Sequence, residues 1–269
     1  MIKVGIAGAA GRMGRMLVEA IAADDKTVLS AAIVSPGSSL LGVDAGELAG
    51  GNNLGVPLTG SLSDSIHQVD TVIDFTHPEF TMANAALCAE HGKSMVIGTT
   101  GFSAEQQQTL KILSEQSPMV VAPNMSIGVN LVFKLLETAA RVMGLDADVE
   151  VLETHHRNKV DSPSGTALKM GEVVAKATGR DLGQWAIYGR EGNTGVRERE
   201  TIGFATVRAG DVIGDHTVLF ACEGERIEIT HKASDRMIYA RGSVRAVAFL
   251  QGKKSGFYDM QDVLGIRDC

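Results

Sequence analysis

The sequence IKVGIAGAAGRMG, residues 2–14, carries the main signal for the architecture of the N-terminal half. An apolar run leads into three glycines spaced G-x-x-G-x-x-G, and apolar periodicity predicts a helix over Arg12–Ala23. Glycines at a strand-to-helix turn let the backbone approach a pyrophosphate, and the helix N-terminus favours its negative charge. The predicted cofactor-binding residues of this turn are Gly8, Ala9, Ala10, Gly11, Arg12 and Met13. The spacing differs from the commoner G-x-G-x-x-G, and a purely structural glycine-rich turn is the alternative.

Beyond this turn, apolar strand candidates alternate with helices as far as about residue 125. Strands are predicted at 28–34, 71–75, 94–97 and 119–122, and helices at 80–91 and at 104–116 after a capping box of Ser103 and Gln106. Short, continuously apolar strands that alternate with helices indicate a parallel sheet covered on both faces. The expected fold class is α/β, with a Rossmann-like doubly wound parallel sheet and a second α+β domain that has an open mixed sheet.

Small and polar residues follow the predicted strands, where ligands of open α/β sheets bind. These candidate cofactor contacts are Val34, Ser35, Phe75, Gly98, Thr99, Thr100, Ala122, Pro123, Asn124 and Met125. Ordinary turn chemistry is the alternative for any one of these motifs. No acid stands at Val34 or Ser35 to hold an adenosine ribose, and no arginine stands there to pair with a 2′-phosphate. The choice between NADH and NADPH is therefore open.

The pattern changes after residue 126. Helices are predicted at Ile127–Met143 and Pro163–Thr178, whereas strands at 149–153, 201–208, 217–222 and 226–232 have little helix between the last three. This indicates a mixed or antiparallel sheet with helices on one face. The open face needs a cover, which favours self-association.

A second concentration of functional side chains lies at residues 153–167, which read ETHHRNKVDSPSGTA and pass from a strand into a helix. Four of the five residues 155–159 are or can become cationic in a chain of formal charge −7, so this cluster suits a small anionic substrate. Ser164, Gly165 and Thr166 stand at the helix start, where N–H groups can bind a carboxylate.

Histidine and lysine in this segment can also carry protons. A hydride transfer leaves a centre that must be protonated, and either His155 or Lys159 can supply the proton. A structural histidine or a solvated charged loop is the alternative interpretation. A metal site at His155 and His156 is disfavoured, because no nearby carboxylate–cysteine set completes it. We therefore expect no metal.

The composition excludes several classes of function. Hydrophobic residues make up 44% and charged residues 21%, as in ordered globular proteins. The negative charge and an aromatic content of only 4% argue against a nucleic-acid partner. No apolar run approaches the roughly 20 residues that span a membrane, and no targeting segment is recognisable, so a cytoplasmic protein is expected. Cys88, Cys222 and Cys269 suggest neither a disulfide framework nor a metal site.

Five segments of the chain match the pattern of a known protein family. The chain resembles the bacterial 4-hydroxy-tetrahydrodipicolinate reductases (dihydrodipicolinate reductases) of lysine biosynthesis through the diaminopimelate route. Residues 153–167 look like the family signature E-x-H-H-x-x-K-x-D-x-P-S-G-T-A, and residues 7–14, 74–76, 98–101 and 203–211 also match its pattern.

The resemblance implies a reaction, roles and an assembly. NADH or NADPH would reduce a cyclic dicarboxylate, formed by dehydration of its 4-hydroxy precursor, to tetrahydrodipicolinate. His155 and Lys159 would be the acid–base pair, and His156, Gly165 and Thr166 would bind the substrate. Residues 1–126, with 236–269 packing back on them, would bind the dinucleotide, and residues 127–235 would bind substrate and form a homotetramer.

Two other functions compete with this interpretation. An amino-acid dehydrogenase of similar architecture would share the glycine turn but would not predict the 155–166 segment. A nucleotide sensor would bind NADH without oxidising it, and it would leave the His–Lys cluster unexplained.

Overall fold

The structure, a computed structural model, describes residues 1–267, and Cys269 lies outside them. The chain forms two compact units. One comprises residues 1–127 together with the segment that begins at Met237, and the other comprises Gly128–Arg236. None of the helices in the described residues combines the length and the apolar character that crossing a bilayer requires.

The elements are as follows in chain order. The strands are β1 (Ile2–Ala7), β2 (Thr27–Ile33), β3 (Leu58–Thr59), β4 (Thr71–Asp74), β5 (Ser94–Ile97), β6 (Met119–Val121), β7 (Asp148–His155), β8 (Ala186–Tyr188), β9 (Ile202–Arg208), β10 (Gly214–Cys222), β11 (Glu225–Ala233) and β12 (Phe257–Tyr258). The α-helices are α1 (Arg12–Ala22), α2 (Ala45–Leu48), α3 (Pro78–Glu90), α4 (Ala104–Ser114), α5 (Ile127–Met143), α6 (Gly165–Thr178), α7 (Leu182–Trp185), α8 (Met237–Leu250) and α9 (Met260–Leu264), and a 3-10 turn lies at Ile66–Gln68.

The first unit is built on a parallel sheet of strand order β12-β6-β5-β4-β1-β2-β3. Every residue of β4 and β5 is buried, because both faces of the sheet are covered. The chain runs from β1 outward through β2 and β3 and then returns to β4 on the other side of β1. This reversal places a topological switch point between β1 and β4, and the predicted Rossmann-like doubly wound sheet is confirmed.

The strand register aligns the predicted cofactor motifs. Ile33, Ala7, Asp74, Ile97 and Val121 are partners across five neighbouring strands. Because these strands are parallel, the residues that follow each of them lie along one edge of the sheet. The predicted cofactor-binding motifs, which are separate in the sequence, therefore lie side by side along this edge of the sheet.

The second unit contains a mixed sheet of order β11-β10-β7-β9-β8, as expected. Strands β10 and β11 run antiparallel to their neighbours, whereas β7, β9 and β8 are mutually parallel. Helices α5 and α6 share a hydrophobic core with one face of this sheet. Leu152 and Val207 are exposed on the strands β7 and β9. Strand β7 extends to His155, two residues beyond the predicted end.

Candidate active site

The glycine turn between β1 and α1 has the geometry of a pyrophosphate cradle. Gly8 has a φ of +79°, and a Cβ there would lie 2.9 Å from Thr76 Cγ2. A Cβ at Gly14 would collide with the carbonyl oxygen of Gly8, so only glycine lets the helix start this close to the strand end. Gly11 is the N-cap of α1 and brings no side chain over the first helical turn. The turn therefore fits a dinucleotide.

The backbone of the turn is anchored to β2. The N–H groups of Gly8 and Ala9 both donate to Ile33 O, at 2.9 and 3.0 Å, and Ala9 is buried. These two amides hold the turn in place rather than facing a ligand. The other predicted turn residues are wholly or partly exposed: Ala10, Gly11, Arg12 and Met13.

The end of β2 offers one uncharged polar side chain. Val34 is buried and donates its N–H to Thr59 O at 2.9 Å, whereas Ser35 is exposed. Of the two predicted residues, Ser35 is the one with an exposed polar side chain.

Asp74 links the ends of β4 and β5. This buried carboxylate accepts hydrogen bonds from Thr76 N (2.9 Å), Thr76 Oγ1 (2.6 Å), Thr81 Oγ1 (3.0 Å) and Asn84 Nδ2 (2.8 Å). Thr99 Oγ1 accepts from Thr76 N at 3.0 Å and lies 3.3 Å from Asp74 Oδ1. The hydroxyl of Thr99 is therefore already hydrogen-bonded within the protein. Asp74 holds the loop after β4 and the loop after β5 in a fixed relative position.

The remaining strand-end residues complete this edge. The ring of Phe75 covers Gly98, where any Cβ would collide with it. Thr100 is exposed, and Ala122 N donates to Ile97 O at 3.1 Å. Ala122 and Met125 are buried, whereas Pro123 is exposed and Asn124 is partly exposed.

Removing the Asp74 carboxylate is expected to destabilise the first unit and weaken cofactor binding. In Asp74→Ala the donors of Thr76, Thr81 and Asn84 lose their acceptor, which lowers the free energy of unfolding by about 1–3 kcal/mol. We expect the Kd for NADH to rise by about tenfold, which corresponds to about 1.4 kcal/mol. Urea unfolding and NADH fluorescence titration measure both effects.

Asp74→Asn is the matched control. It keeps one acceptor oxygen, and the Asn84 amide can rotate to accept from the new amide, so a smaller loss is expected. Equal losses in the two variants, or none, would contradict this role for Asp74.

The second unit contains a buried acid–imidazole pair. Strand β7 points Glu153 and His155 to its covered face, because side chains two residues apart share a face. Glu153 is 2% exposed, and its Oε2 is hydrogen-bonded to Nδ1 of His155. The guanidinium of Arg208 donates to both carboxylate oxygens, each at 3.0 Å, and Ser164 N donates to Oε1 at 3.0 Å.

The protonation of His155 is set by opposing influences. Burial lowers its pKa below the ordinary value, the hydrogen bond and charge of Glu153 oppose this, and the charges of Lys159 and Arg208 lower it further. A bound anion would raise the pKa again, because negative charge favours the imidazolium. The imidazole is therefore positioned to gain and lose a proton as an anionic ligand binds.

A second buried histidine packs against the first. The rings of His216 and His155 meet edge to face with centroids 5.0 Å apart. Burial and the neighbouring His155 lower the pKa of His216 to about 4, so it is neutral at physiological pH. Its Nε2 lies 3.0 Å from Ser164 Oγ, which also accepts from Ala167 N as the N-cap of α6.

Glu153, His155 and His216 form a group with metal-ligand spacing, since one ligand atom from each lies within 4.8 Å of the others. The guanidinium of Arg208 binds both oxygens of this carboxylate. Its positive charge opposes a cation there, and the oxygens are already engaged. The geometry therefore favours an acid–base function for the group.

The cationic loop and the helix start lie in the same unit. Lys159 Nζ is paired with both oxygens of Asp161, at 2.7 and 2.8 Å. Nε2 of His156 lies 3.3 Å from Arg236, and its buried Nδ1 has no hydrogen-bond partner among the described residues. Gly165 is exposed, and a Cβ there would meet no atom within 4 Å in the part of the chain that the structure describes, so there is room for a ligand at the start of α6.

Ser164 has a different part in this arrangement. Its N–H donates to Glu153, and its hydroxyl caps the helix and contacts His216. The sequence placed it with Gly165 and Thr166 as a group that offers N–H donors to a carboxylate. In the structure the polar groups of Ser164 hold the helix start in position.

Sequence reasoning did not assign roles to Glu153, Arg208 and His216. The first stands in the 153–167 segment at an alternating position with His155, which is a usable signal of a shared strand face. Arg208 and His216 are 55 and 52 residues from their partners Glu153 and Ser164, so local periodicity does not predict these contacts, although Arg208 lies in the 203–211 run that matches the family pattern.

A dinucleotide cradle on a Rossmann-like sheet, in a chain that also carries a buried carboxylate–imidazole pair, is typical of one class of protein, the nicotinamide-dependent oxidoreductases. Comparison with known proteins narrows this class. The N-terminal model of the dihydrodipicolinate reductase family matches residues 2–125, and its C-terminal model matches residues 128–264. The chain belongs to the dihydrodipicolinate reductase family.

Individual relatives agree with this assignment. The chain is 60% identical over 268 residues to the 4-hydroxy-tetrahydrodipicolinate reductase of Pseudomonas fluorescens strain Pf-5, covering 99% of this chain and 100% of the relative. It is 60% identical over 267 residues, with the same coverage, to the enzyme of that name from strain Pf0-1. Its fold matches a dipicolinate-bound dihydrodipicolinate reductase from Paenisporosarcina sp. TG-14 with a TM-score of 0.78 and 27% identity, over 97% of this chain and 98% of that one.

Family membership confirms the resemblance and the cofactor class. The chain is an NAD(P)H-dependent oxidoreductase of lysine and diaminopimelate biosynthesis. The match over both halves favours this function over an amino-acid dehydrogenase or a nucleotide sensor.

Proposed function

We propose that this chain reduces 4-hydroxy-tetrahydrodipicolinate, after loss of water, to tetrahydrodipicolinate, with His155 as proton donor and Lys159 as the cation that binds the substrate. The observation that carries the proposal is the buried Glu153–His155 pair, which shares one sequence segment with Lys159 and the start of α6. The reduced nicotinamide supplies the hydride when bound. The substrate ring would gain that hydride together with one proton from the protein, with the oxidised nicotinamide as the second product.

The substrate class follows from the charges of the second unit. The two carboxylates of the substrate need hydrogen-bond donors and positive charge. Lys159 can provide the charge, and the exposed Gly165 with its neighbour Thr166 can provide donors at the start of α6. His156 adds a buried ring nitrogen, Nδ1, that lacks a hydrogen-bond partner within residues 1–267. The Paenisporosarcina relative, which binds dipicolinate, supports a small dicarboxylate.

His155 is the better placed of the two proton donors. The carboxylate of Glu153 at Nδ1 favours the imidazolium form and opposes burial, which lowers the pKa of His155, and a bound dicarboxylate favours the protonated ring further. The ammonium of Lys159 is instead held by Asp161, as suits a group that exchanges one carboxylate partner for another. We assign the proton to His155 and charge recognition to Lys159.

We also propose a homotetramer in the cytoplasm. Leu152 and Val207 are 42% and 49% exposed on adjacent strands, and such apolar side chains on an open sheet favour burial against another copy. The cytoplasm holds the reduced nicotinamide that the reaction consumes. Analytical ultracentrifugation tests the tetramer.

An assay of cofactor oxidation tests the proposed function. The substrate is made in place by the preceding synthase from pyruvate and aspartate semialdehyde, and absorbance of NADH or NADPH is followed. We expect oxidation that requires both the synthase and this chain, and the two rates give the cofactor preference that Ser35 leaves open. Binding of NADH without oxidation under these conditions would overturn the assignment.

A further inference from the structure

Glu153 carries more interactions than its place in the sequence suggests. Its Oε2 contacts His155 Nδ1 and accepts from Arg208, while its Oε1 accepts from Arg208 and from the backbone N–H of Ser164. Burying an ionised carboxylate costs free energy of folding unless its oxygens are hydrogen-bonded. Glu153 is buried, and each of its two oxygens has two hydrogen-bond partners. The side chain therefore joins three separate pieces of the second unit.

We propose that Glu153 is the positioning residue of the proton donor, holding the His155 ring through Nδ1 and the first turn of α6 through Ser164 in one fixed arrangement. The inference rests on the proposed function, in which His155 donates the proton and the helix start binds a carboxylate. It assigns to Glu153 no contact with the substrate.

The contact determines which nitrogen of His155 exchanges the proton. An ionised carboxylate only accepts, so Nδ1 keeps its hydrogen in both the neutral and the cationic ring. Nε2 is then the nitrogen that gains and loses a proton. A Cβ at Gly214 would lie 3.0 Å from Nε2, so a glycine there leaves this side of the ring uncrowded.

Arg208 keeps the carboxylate in the required form. Burial alone would raise the pKa of Glu153, but the hydrogen bonds from Arg208, His155 and Ser164 outweigh burial and lower it. Arg208 also donates to Asp161 O at 2.6 Å, so the same guanidinium ties the cationic loop to the strand. Glu153 is therefore ionised at neutral pH.

The groups that face His155 set the sign of the expected pH effect. They are Glu153 on its own strand, Arg208 at the end of β9, His216 on β10 and Lys159 in the following loop. Of these, only Glu153 raises the pKa of His155. Removing its charge lowers that pKa, so the protonated acid is lost at a lower pH.

Glu153→Gln tests the proposal. The amide has one oxygen, so it cannot accept from all the donors that the carboxylate serves, and it can offer N–H to Nδ1 instead. We expect kcat to fall by about 10- to 50-fold, less than the loss of the acid itself. We expect the alkaline limb of the pH–kcat profile to move to lower pH, with the Kd for NADH unchanged.

Nitrogen NMR of the labelled histidines reports the same change directly. The His155 signals are assigned by their loss in His155→Gln. We expect the wild-type ring to keep Nδ1–H throughout its titration, and the Glu153→Gln ring to populate the opposite tautomer. An unchanged tautomer together with an unchanged alkaline limb would overturn the proposal, whatever happens to kcat.

Two further variants separate positioning from folding. Glu153→Asp keeps the charge, so it should retain the Nδ1–H tautomer and most of the alkaline limb even if kcat falls. Glu150→Gln is the matched control on the same strand, because Glu150 also accepts two hydrogen bonds from an arginine, Arg190, but lies on the opposite face of β7 from His155. It should leave the limb unchanged, and a limb shift equal to that of Glu153→Gln would overturn the proposal.

The result of His155→Gln distinguishes this inference from the function on which it rests. If that variant keeps wild-type kcat, the assigned proton donor is wrong. If it loses activity while Glu153→Gln keeps both kcat and the pH profile, only the positioning role of Glu153 fails.

Discussion

Replacement of His155 by glutamine is expected to lower kcat by about 10²–10⁴-fold and to leave the Kd for NADH within about twofold of wild type. Glutamine keeps similar bulk and a hydrogen bond to Glu153, but it has no proton to give near neutral pH. The cofactor motifs belong to the other compact unit, so nucleotide affinity has no reason to change. Steady-state kinetics at saturating NADH and fluorescence titration measure the two quantities.

The role of His155 as proton donor also predicts how kcat depends on pH. A general acid must be protonated, so wild-type kcat falls as pH rises through the pKa of His155 in the substrate complex. Burial lowers that pKa in the free enzyme, and Glu153 and a bound dianion raise it. This alkaline limb should vanish in His155→Gln. His91→Gln, in the other unit, is the control and should keep both rate and limb, whereas a His155→Gln kcat within about threefold of wild type would rule out the assigned role.

The apolar strands of the first unit were predictable because each is a short, continuously apolar run. β4 and β5 are buried throughout, and burial on both faces imposes the apolar residues that the sequence displays. Short edge strands such as β3 and β8 were missed, because two or three residues carry no period and depend on a neighbouring strand. A capping box of Asp259 and Asp262 marks the start of α9 and is a usable sequence signal for this helix.

The end of β7 shows why polar sites are harder to predict. The expected strand stopped at Glu153, because a histidine pair and charged residues indicate a loop. In the structure the strand continues to His155, and Glu153 and His155 are both buried. Hydrogen bonds from Arg208, which is distant in sequence, offset the cost of burying the carboxylate. The segment was recognisable, but its partners were not.

The sequence predicts which loops gather at the cofactor-binding edge of the parallel sheet, but not which residues of those loops are available to a cofactor. A parallel sheet brings the residues after β1, β2, β4, β5 and β6 to one edge, so their grouping followed from the fold. The sequence does not say which polar groups are already used. Thr99 looks like a ligand contact, yet its hydroxyl is bonded to Thr76 and Thr81.

Lys159→Ala should reduce kcat/KM for the dicarboxylate by about 100-fold, which corresponds to about 3 kcal/mol lost from a charge-assisted contact. The ammonium of Lys159 is paired with Asp161, and the Lys159 side chain is 20% exposed. A substrate carboxylate must therefore compete with Asp161 for the same donor. The expected effect falls mainly on KM, because the charge is present before and after hydride transfer.

Two neighbouring variants make the Lys159 result specific. Asp161→Asn weakens the competing partner while its backbone oxygen still accepts from Arg208, so the KM for substrate should fall or stay constant. Lys159→Arg keeps the charge on a differently shaped donor and should recover part of the lost affinity. If Lys159→Ala lowers kcat and leaves KM unchanged, Lys159 acts in proton transfer and the division of roles with His155 must be reversed. If neither constant changes, the substrate carboxylates are held by the helix start and His156 alone.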